Sequence, residues 1–169
     1  MTGTNGANWL YGGLYTARQT LAASENFKGR FDASAGSAAV LKRIHVQYLA
    51  DELDGVGWRR PFAVLALAEL RLRQMGQSTR CHLIPAGSVV LLLSDNARYD
   101  GDHAASAADF LTWAGNVLED LATLAGSGGN LFFAGAELVM PPNRTARKNR
   151  GEEDFWEVAF SLHFGVGEA

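Results

Sequence analysis

Cysteine is almost absent from this sequence, which contains Cys81 and no other. A single thiol cannot form an intramolecular disulfide, and a zinc site built on cysteines would lack its thiolates. This usage is typical of an intracellular protein and excludes a disulfide-stapled scaffold. With 169 residues the chain needs no such cross-link, because folding at this size buries about 70% of the surface that the unfolded chain exposes.

Long hydrophobic runs are missing as well. The longest apolar stretch, 62–68, has seven residues, whereas a membrane-spanning helix needs about 20. The first 13 residues lack a basic start followed by an apolar segment, so we expect no secretion signal. The sequence therefore predicts a protein without a membrane segment.

Charge of one sign is not in excess. Fifteen Lys and Arg residues oppose 18 Asp and Glu residues, which leaves a formal net charge of −3. This is the wrong sign for a domain whose main role is to cover nucleic-acid phosphates. Because 47% of the residues are apolar and 20% are charged, the composition excludes a disordered chain and predicts a single domain over 1–169.

Sequence motifs of catalysis are also lacking. Neither a glycine-flanked nucleophile nor a paired-histidine metal motif is present. The glycines at 126, 128 and 129 follow a helical pattern and precede a strand pattern, which is the reverse of a nucleotide-binding loop. We therefore expect no catalytic residue, no cofactor and no enzymatic activity.

The segment 94–103 is the best candidate for a metal site, because it holds Asp95, Asp100, Asp102 and His103 within ten residues. It departs from a calcium-binding loop, since side chains without oxygen ligands occupy two ligand positions and no glutamate closes the loop. We expect these acids to serve a turn and the N-terminus of the next helix. No bound metal is predicted, and a small metal- or ligand-binding domain stays as a weaker alternative.

Hydrophobic periodicity predicts two helical segments near the N-terminus. Apolar residues recur at helical spacing over 9–23. The stretch 25–37 mixes glycine, serine and charge around Phe27 and Phe31, which predicts irregular structure anchored by two rings. The segment 37–43 is then expected to close a short helical turn.

The strongest helical pattern spans 106–125. Ser106 and Asp109 have the spacing of a capping box, and Gly126 stands where a helix commonly ends. The apolar stripe predicts a helix that covers a core. Its members are Ala107, Phe110, Leu111, Ala114, Val117, Leu118, Leu121 and Leu124.

Strands are predicted where apolar and polar residues alternate, or where turn residues bound an apolar run. Pro141 and Pro142 are expected to end the fourth strand. Together with the helices, the strands predict an α+β fold: a mostly antiparallel sheet packed on one face by the long helix, plus an N-terminal helix. The predicted strands are 44–48, 62–73, 89–93, 131–140 and 156–164.

The segment 141–154 joins the last two predicted strands, and we expect a mobile hairpin loop. Its cations are Arg144, Arg147, Lys148 and Arg150. Three interpretations stay open: a solvated loop tip, a contact with nucleic acid, and a contact with an acidic protein partner.

Three segments, with the long helix between them, carry a resemblance to a known family. They are Arg43-Ile44, the run RPFAV at 60–64 and the closing run DFWEVAFSLHFG at 154–165. Their order and pattern resemble the tail terminator, or tail completion, proteins of long-tailed phages and prophages. The resemblance spans about residues 8–165 and rests on element order rather than on an invariant chemical motif.

The resemblance implies a structural role. Proteins of this family are small α/β domains that form a six-membered ring, stop polymerisation of the tail tube and present a docking face to the head. The implied partners are other copies of the chain, the tail tube protein and the head–tail connector protein. DNA would pass through the ring without specific binding, and the protein would reside in the virion tail or neck after assembly in the host cytoplasm.

Contact candidates follow by analogy with the loops that project from such rings. They are Trp58 and Arg59 in the connector 50–60 and the four cations of 141–154. The edge strands of a sheet can also pair with another copy, and a ring closes such edges. A head–tail connector or neck protein would leave much the same pattern, so both roles stay open.

Overall fold

The structure is a computed structural model that describes residues 6–46, 59–75, 82–99, 101–124, 131–146 and 154–166. Within these ranges the chain forms four helices and five strands. The helices are α1 (Gly6–Ala23), α2 (Glu25–Gly29), α3 (Ser37–Leu41) and α4 (His103–Leu124). The strands are β1 (Ile44–Val46), β2 (Phe62–Met75), β3 (His82–Asn96), β4 (Leu131–Thr145) and β5 (Phe155–Val166).

The described strands form one sheet with the order β1-β2-β3-β5-β4. β1 pairs parallel with β2, and the other neighbours are antiparallel. Ala63 lies opposite Leu93, which in turn lies opposite Val158. The α+β fold with a mostly antiparallel sheet, a long helix and N-terminal helices is confirmed.

All four helices contribute to the same hydrophobic core on one face of the sheet. Leu14 and Leu21 of α1 and Phe110 of α4 are buried against alternate residues of the central strands, such as Leu65 and Leu91. Alternation along a strand sends the intervening side chains to the opposite face. No described helix contributes to that second face.

β2 confirms a prediction that propensity alone opposes. Its start, FAVLALAEL, is rich in strong helix formers. The run nevertheless forms a strand, because β1 and β3 pair with it on both sides. Ala63 and Leu65 are buried in the core, while Val64 and Ala66 are half-buried on the opposite face.

Four strands are longer than predicted, two of them, β3 and β4, by five residues or more. β3 begins at His82 and contains Pro85, which lies opposite Leu72, whereas the ladder between β3 and β5 begins at Gly87. β4 continues through Pro141 and Pro142 to Thr145, so the expected strand end at the proline pair is wrong. A terminal strand tolerates proline because one of its edges needs no N–H donor.

The start of α4 also differs from the prediction. Asp102, not Ser106, caps the helix, since its Oδ1 accepts a hydrogen bond from the Ala105 amide at 2.9 Å. Ser106 lies in the first turn, where its Oγ accepts from Trp156 Nε1 at 2.9 Å. The capping-box interpretation of Ser106 and Asp109 is therefore wrong, and both side chains serve tertiary contacts.

The stretch 25–37 is more regular at its start than expected. Ser24 Oγ accepts from the Phe27 amide at 3.0 Å and so caps α2. Phe27 is buried, and Phe31 packs edge-on against it with ring centroids 5.9 Å apart. The two rings anchor this region as predicted.

The apolar stripe of α4 is confirmed in part. Its members Phe110, Ala114, Val117 and Leu121 are buried in the core. Leu111, however, is 46% exposed, and Leu118 is only half-buried against the core. Trp113 is buried although the stripe did not include it, because it packs against Phe27 of α2.

Candidate assembly surface

Arg144 is held by neighbouring side chains rather than carried on a loop tip. It lies in β4 opposite Trp156, and its side chain is 19% exposed. Its Nη2 donates to Asp154 Oδ2 at 2.8 Å, and its Nη1 contacts Nδ1 of His103 at the start of α4. The placement of 141–145 in a mobile loop is therefore wrong. Arg147, Lys148 and Arg150 lie outside the described residues.

Arg59 lies beside β1 and β2 and is exposed. Its carbonyl oxygen accepts a hydrogen bond from Arg43 Nη1 at 2.7 Å. Burial lowers the pKa of Arg43, and the positive charge of Arg59 lowers it further. With the exposed Lys42, these side chains make the β1 side of the sheet locally positive. Trp58 lies outside the described residues.

β4 is the terminal strand on the other side of the sheet, and no described strand pairs with its outer edge. Leu138 and Val139 are each 57% exposed there. Leu138 lies opposite Phe160, yet the helix layer does not cover it. The sequence contains a signal for this exposure that the strand prediction did not use, because two adjacent apolar residues break the alternation of a half-buried strand.

Arg60 lies across one end of the second face of the sheet, the face opposite the helices. Its guanidinium lies 3.7 Å from the centre of the Phe155 ring and 5.3 Å from that of Phe62. Arg60 Nε donates to the buried Ser94 Oγ at 2.9 Å, and Nη2 lies 3.9 Å from Glu157. Cation–π contact and hydrogen bonding hold this arginine flat on the sheet.

Further along, the second face is apolar and half-buried. Four of its side chains come from β2 and β3: Val64, Ala66, Val90 and Leu92. His45 of β1 lies beside them, with its ring edge-on to Phe62 at 6.0 Å between centroids. Burial lowers the pKa of His45, which favours the neutral imidazole on this face.

Asp95 of the proposed metal segment is instead bound by arginines. It is 2% exposed and accepts from Arg30 Nε at 2.6 Å, while Arg98 Nε lies 3.6 Å away. Arg30 also donates to both carboxylate oxygens of Asp109 and stacks over Trp113. In the described part of the chain, no three His, Cys, Asp or Glu residues are grouped to hold a metal.

This ion network ties α2 to the end of β3 and to α4. Burial opposes the charge on Arg30, but its hydrogen bonds to Asp109 and Asp95 outweigh that effect and raise its pKa. The hydrogen bonds from Arg30 lower the pKa of Asp109 against the opposing effect of burial, and the charges of Arg30 and Arg98 act in the same direction. The network is structural in character, because each carboxylate is satisfied by an arginine.

The lowered pKa of Asp109 predicts a dependence of stability on acid. Its contribution is fully present above the ordinary value of 3.8 and is lost as the pH falls through the lowered value. We expect the unfolding free energy of Asp109→Asn to fall less steeply below about pH 4 than that of the wild type. Urea unfolding at a series of pH values measures this. Parallel curves for the two proteins would contradict the prediction.

The residues that the structure describes present three surfaces suited to packing against another chain. These surfaces are the outer edge of β4, the positive side of the sheet at β1, and the half-buried apolar second face. Sequence reasoning missed Leu138, Val139, Lys42 and the central position of Arg30. The last of these left no local signal, because its partners lie 65 and 79 residues away.

Comparison of the sequence with protein-family models and with curated proteins finds no match. None of the described helices is both long enough and apolar enough to cross a membrane.

Proposed function

We propose that this chain is a structural protein of a long-tailed phage or prophage-like particle. It assembles with copies of itself into a ring that terminates the tail tube and joins it to the head. The observation that carries the proposal is the outer edge of β4, which presents Leu138 and Val139 on a domain whose element order resembles tail terminators.

An uncovered edge strand supports self-assembly for a physical reason. Its outward N–H and C=O groups can form a ladder with another chain, and proteins that avoid such pairing cover or charge the edge. Here the segment 131–140 carries two exposed apolar side chains, Leu138 and Val139, and one charge, that of Glu137. A ring satisfies such edges on every copy without leaving ends that polymerise further.

The proposed partners are the tail tube protein on one side of the ring and the head–tail connector protein on the other. DNA passes through the ring during ejection without sequence-specific contacts, in accord with the net charge of −3. The protein then resides in the virion tail or neck and is assembled in the host cytoplasm. No cofactor takes part.

Two other functions are weaker. A head–tail connector would use the same kind of ring but would bind the head before any tail is present. A small metal-binding domain is disfavoured because Asp95, the buried acid of the candidate segment, is engaged by Arg30 and Arg98. The experiment below separates all three.

The test combines the mass in solution with binding to viral parts. Sedimentation and negative-stain microscopy are expected to show a closed ring, and the ring is expected to cap purified tail tubes. Binding to tail-free heads alone would support the connector role. A chain that stays monomeric and ignores tail tubes would overturn the proposal, and metal retained after purification would favour the metal-binding alternative.

The cations of 147–150 provide a specific prediction. Arg147→Ala is expected to change the unfolding free energy by less than about 0.5 kcal/mol, because Arg147 belongs to a highly charged run of the sequence rather than to an apolar pattern, but to reduce joining of capped tails to heads. Arg144→Ala is the matched control, because it removes the ion pair between Arg144 and Asp154 and should cost about 1 kcal/mol. Urea unfolding and counting of joined particles measure the two effects. The reverse ranking of stabilities would contradict both assignments.

A further inference from the structure

The described sheet ends in β4 on one side and in β1 on the other. We infer that β4 of one copy pairs with β1 of the next copy, so that one sheet continues from copy to copy. The inference rests on the proposed function and names the surface through which the copies meet. Four features of the two edges lead to it: the part of β4 that is free of prolines and register shifts, the opposite charges at the two edges, the directions of the two strands, and the fact that two different edges meet.

Only part of the β4 edge is suited to pairing. Pro141 and Pro142 lack N–H donors, and the register with β5 shifts at three places, two of them beyond Leu138 and one just before Gly135. Both features interrupt a regular ladder. The stretch Gly135–Leu138 keeps a continuous register with β5 and contains no proline, and its residues are exposed except for the half-buried Gly135. An incoming strand is therefore directed to this stretch.

The charges at the two edges are opposite. Glu137 is the charged residue of the segment 131–140, and its side chain is 78% exposed. At the β1 edge, Lys42 and Arg59 are exposed beside the hydrogen-bonded Arg43. Opposite charges attract one copy's β4 to the next copy's β1. A pair of two β4 edges would instead place two Glu137 side chains at one interface.

Strand direction also fits this pairing. β3 and β4 run in the same direction because each is antiparallel to β5, and β2 and β1 run opposite to β3. β4 is therefore antiparallel to β1. Copies in a ring keep the same orientation relative to the ring axis, so the new pair is antiparallel, the more stable arrangement.

The contact is heterologous, since two different edges meet. Heterologous contacts close into rings when the rotation between copies permits it, whereas a contact between two identical edges stops at a dimer. An edge-to-edge joint therefore supplies the type of contact that a ring needs.

Charge reversal tests the joint. Glu137→Lys alone, and Lys42→Glu with Arg59→Glu, are each expected to raise the concentration for half-assembly about tenfold. A chain carrying all three changes is expected to assemble nearly as the wild type does, because the attraction is restored with opposite sign. Sedimentation velocity over a concentration series measures assembly, and circular dichroism verifies that each variant is folded.

Apolar side chains give a second, independent measurement. Leu138→Lys with Val139→Lys is expected to abolish assembly, since lysine on an edge opposes strand pairing. Leu111→Lys is the matched control: Leu111 is also an exposed leucine, but it lies on α4, and its substitution is expected to leave assembly unchanged. Should the double variant misfold, Ala134→Lys at the same exposed edge replaces it.

The outcomes separate the joint from the function. A wild-type ring that tolerates all edge variants would overturn the β4–β1 joint and leave the proposed function intact. Loss of assembly in the β4 variants alone, with no effect of Lys42→Glu and Arg59→Glu and no rescue, would also overturn this joint, because it points to contact between two β4 edges. A wild type that never assembles, alone or on tail tubes, would overturn both.

Discussion

Leu121→Ala is expected to lower the free energy of unfolding by about 2–5 kcal/mol. The side chain of Leu121 is 0% exposed and lies in the core between the helices and the sheet. Removing it takes away apolar contacts and leaves a cavity that the surrounding side chains fill only in part. Urea or thermal unfolding of the purified protein measures the change.

Leu111→Ala is the matched control for that substitution. Leu111 is also a leucine of α4, but it is 46% exposed. Apart from the small difference in helix propensity between the two residues, we therefore expect Leu111→Ala to lower the free energy of unfolding by less than about 0.5 kcal/mol. Leu118→Ala should fall between the two, since Leu118 is half-buried. Equal costs at Leu111 and Leu121 would show that α4 packs through a different face.

Arg30→Met is expected to destabilise the fold by about 3–5 kcal/mol, because it breaks a buried ion pair and leaves Asp95 with the more distant Arg98 at 3.6 Å. Arg30 is 12% exposed, and its partner Asp95 is 2% exposed. Methionine keeps much of the contact with Trp113 while it removes every hydrogen bond that Arg30 donates to Asp95 and Asp109. Urea unfolding near neutral pH measures the loss.

Lys28→Met in α2, the short helix that Arg30 follows as C-cap, is the control for Arg30. Lys28 pairs with the exposed Glu25 at 2.8 Å, and an exposed pair of this kind contributes about 0.3–0.5 kcal/mol. A second comparison adds Asp95→Asn and Asp109→Asn to Arg30→Met, and we expect partial recovery because no buried charge is left unpaired. Absence of any recovery would show that Arg30 acts through packing alone.

The site residues differ in how far they could be predicted. Arg144 was expected in the loop between the last two strands, but it lies in β4, whose pairing with β5 extends through Thr145. The proline pair predicted the end of the strand from local sequence. The strand continues past it because an edge strand tolerates the missing N–H donors.

Helix α4 illustrates a second limit. Its apolar spacing predicted the helix and most of its buried face. The pair Ser106 and Asp109 matched a capping box, yet Trp156 and Arg30 hold these two side chains. Spacing along the chain identifies which residues can cap a helix, but contacts from distant strands and helices determine whether they do.

The sequence by itself determined the α+β class, the order of the strands and the longer helices, and most of the apolar faces that form the core, because these depend on periodicity over a few residues. Tertiary structure decided which strands lie at the edges, that Arg30 joins Asp95 to Asp109, and that Leu138 and Val139 remain exposed. These features arise when segments far apart in the chain meet, and no local pattern records which neighbours a side chain will find.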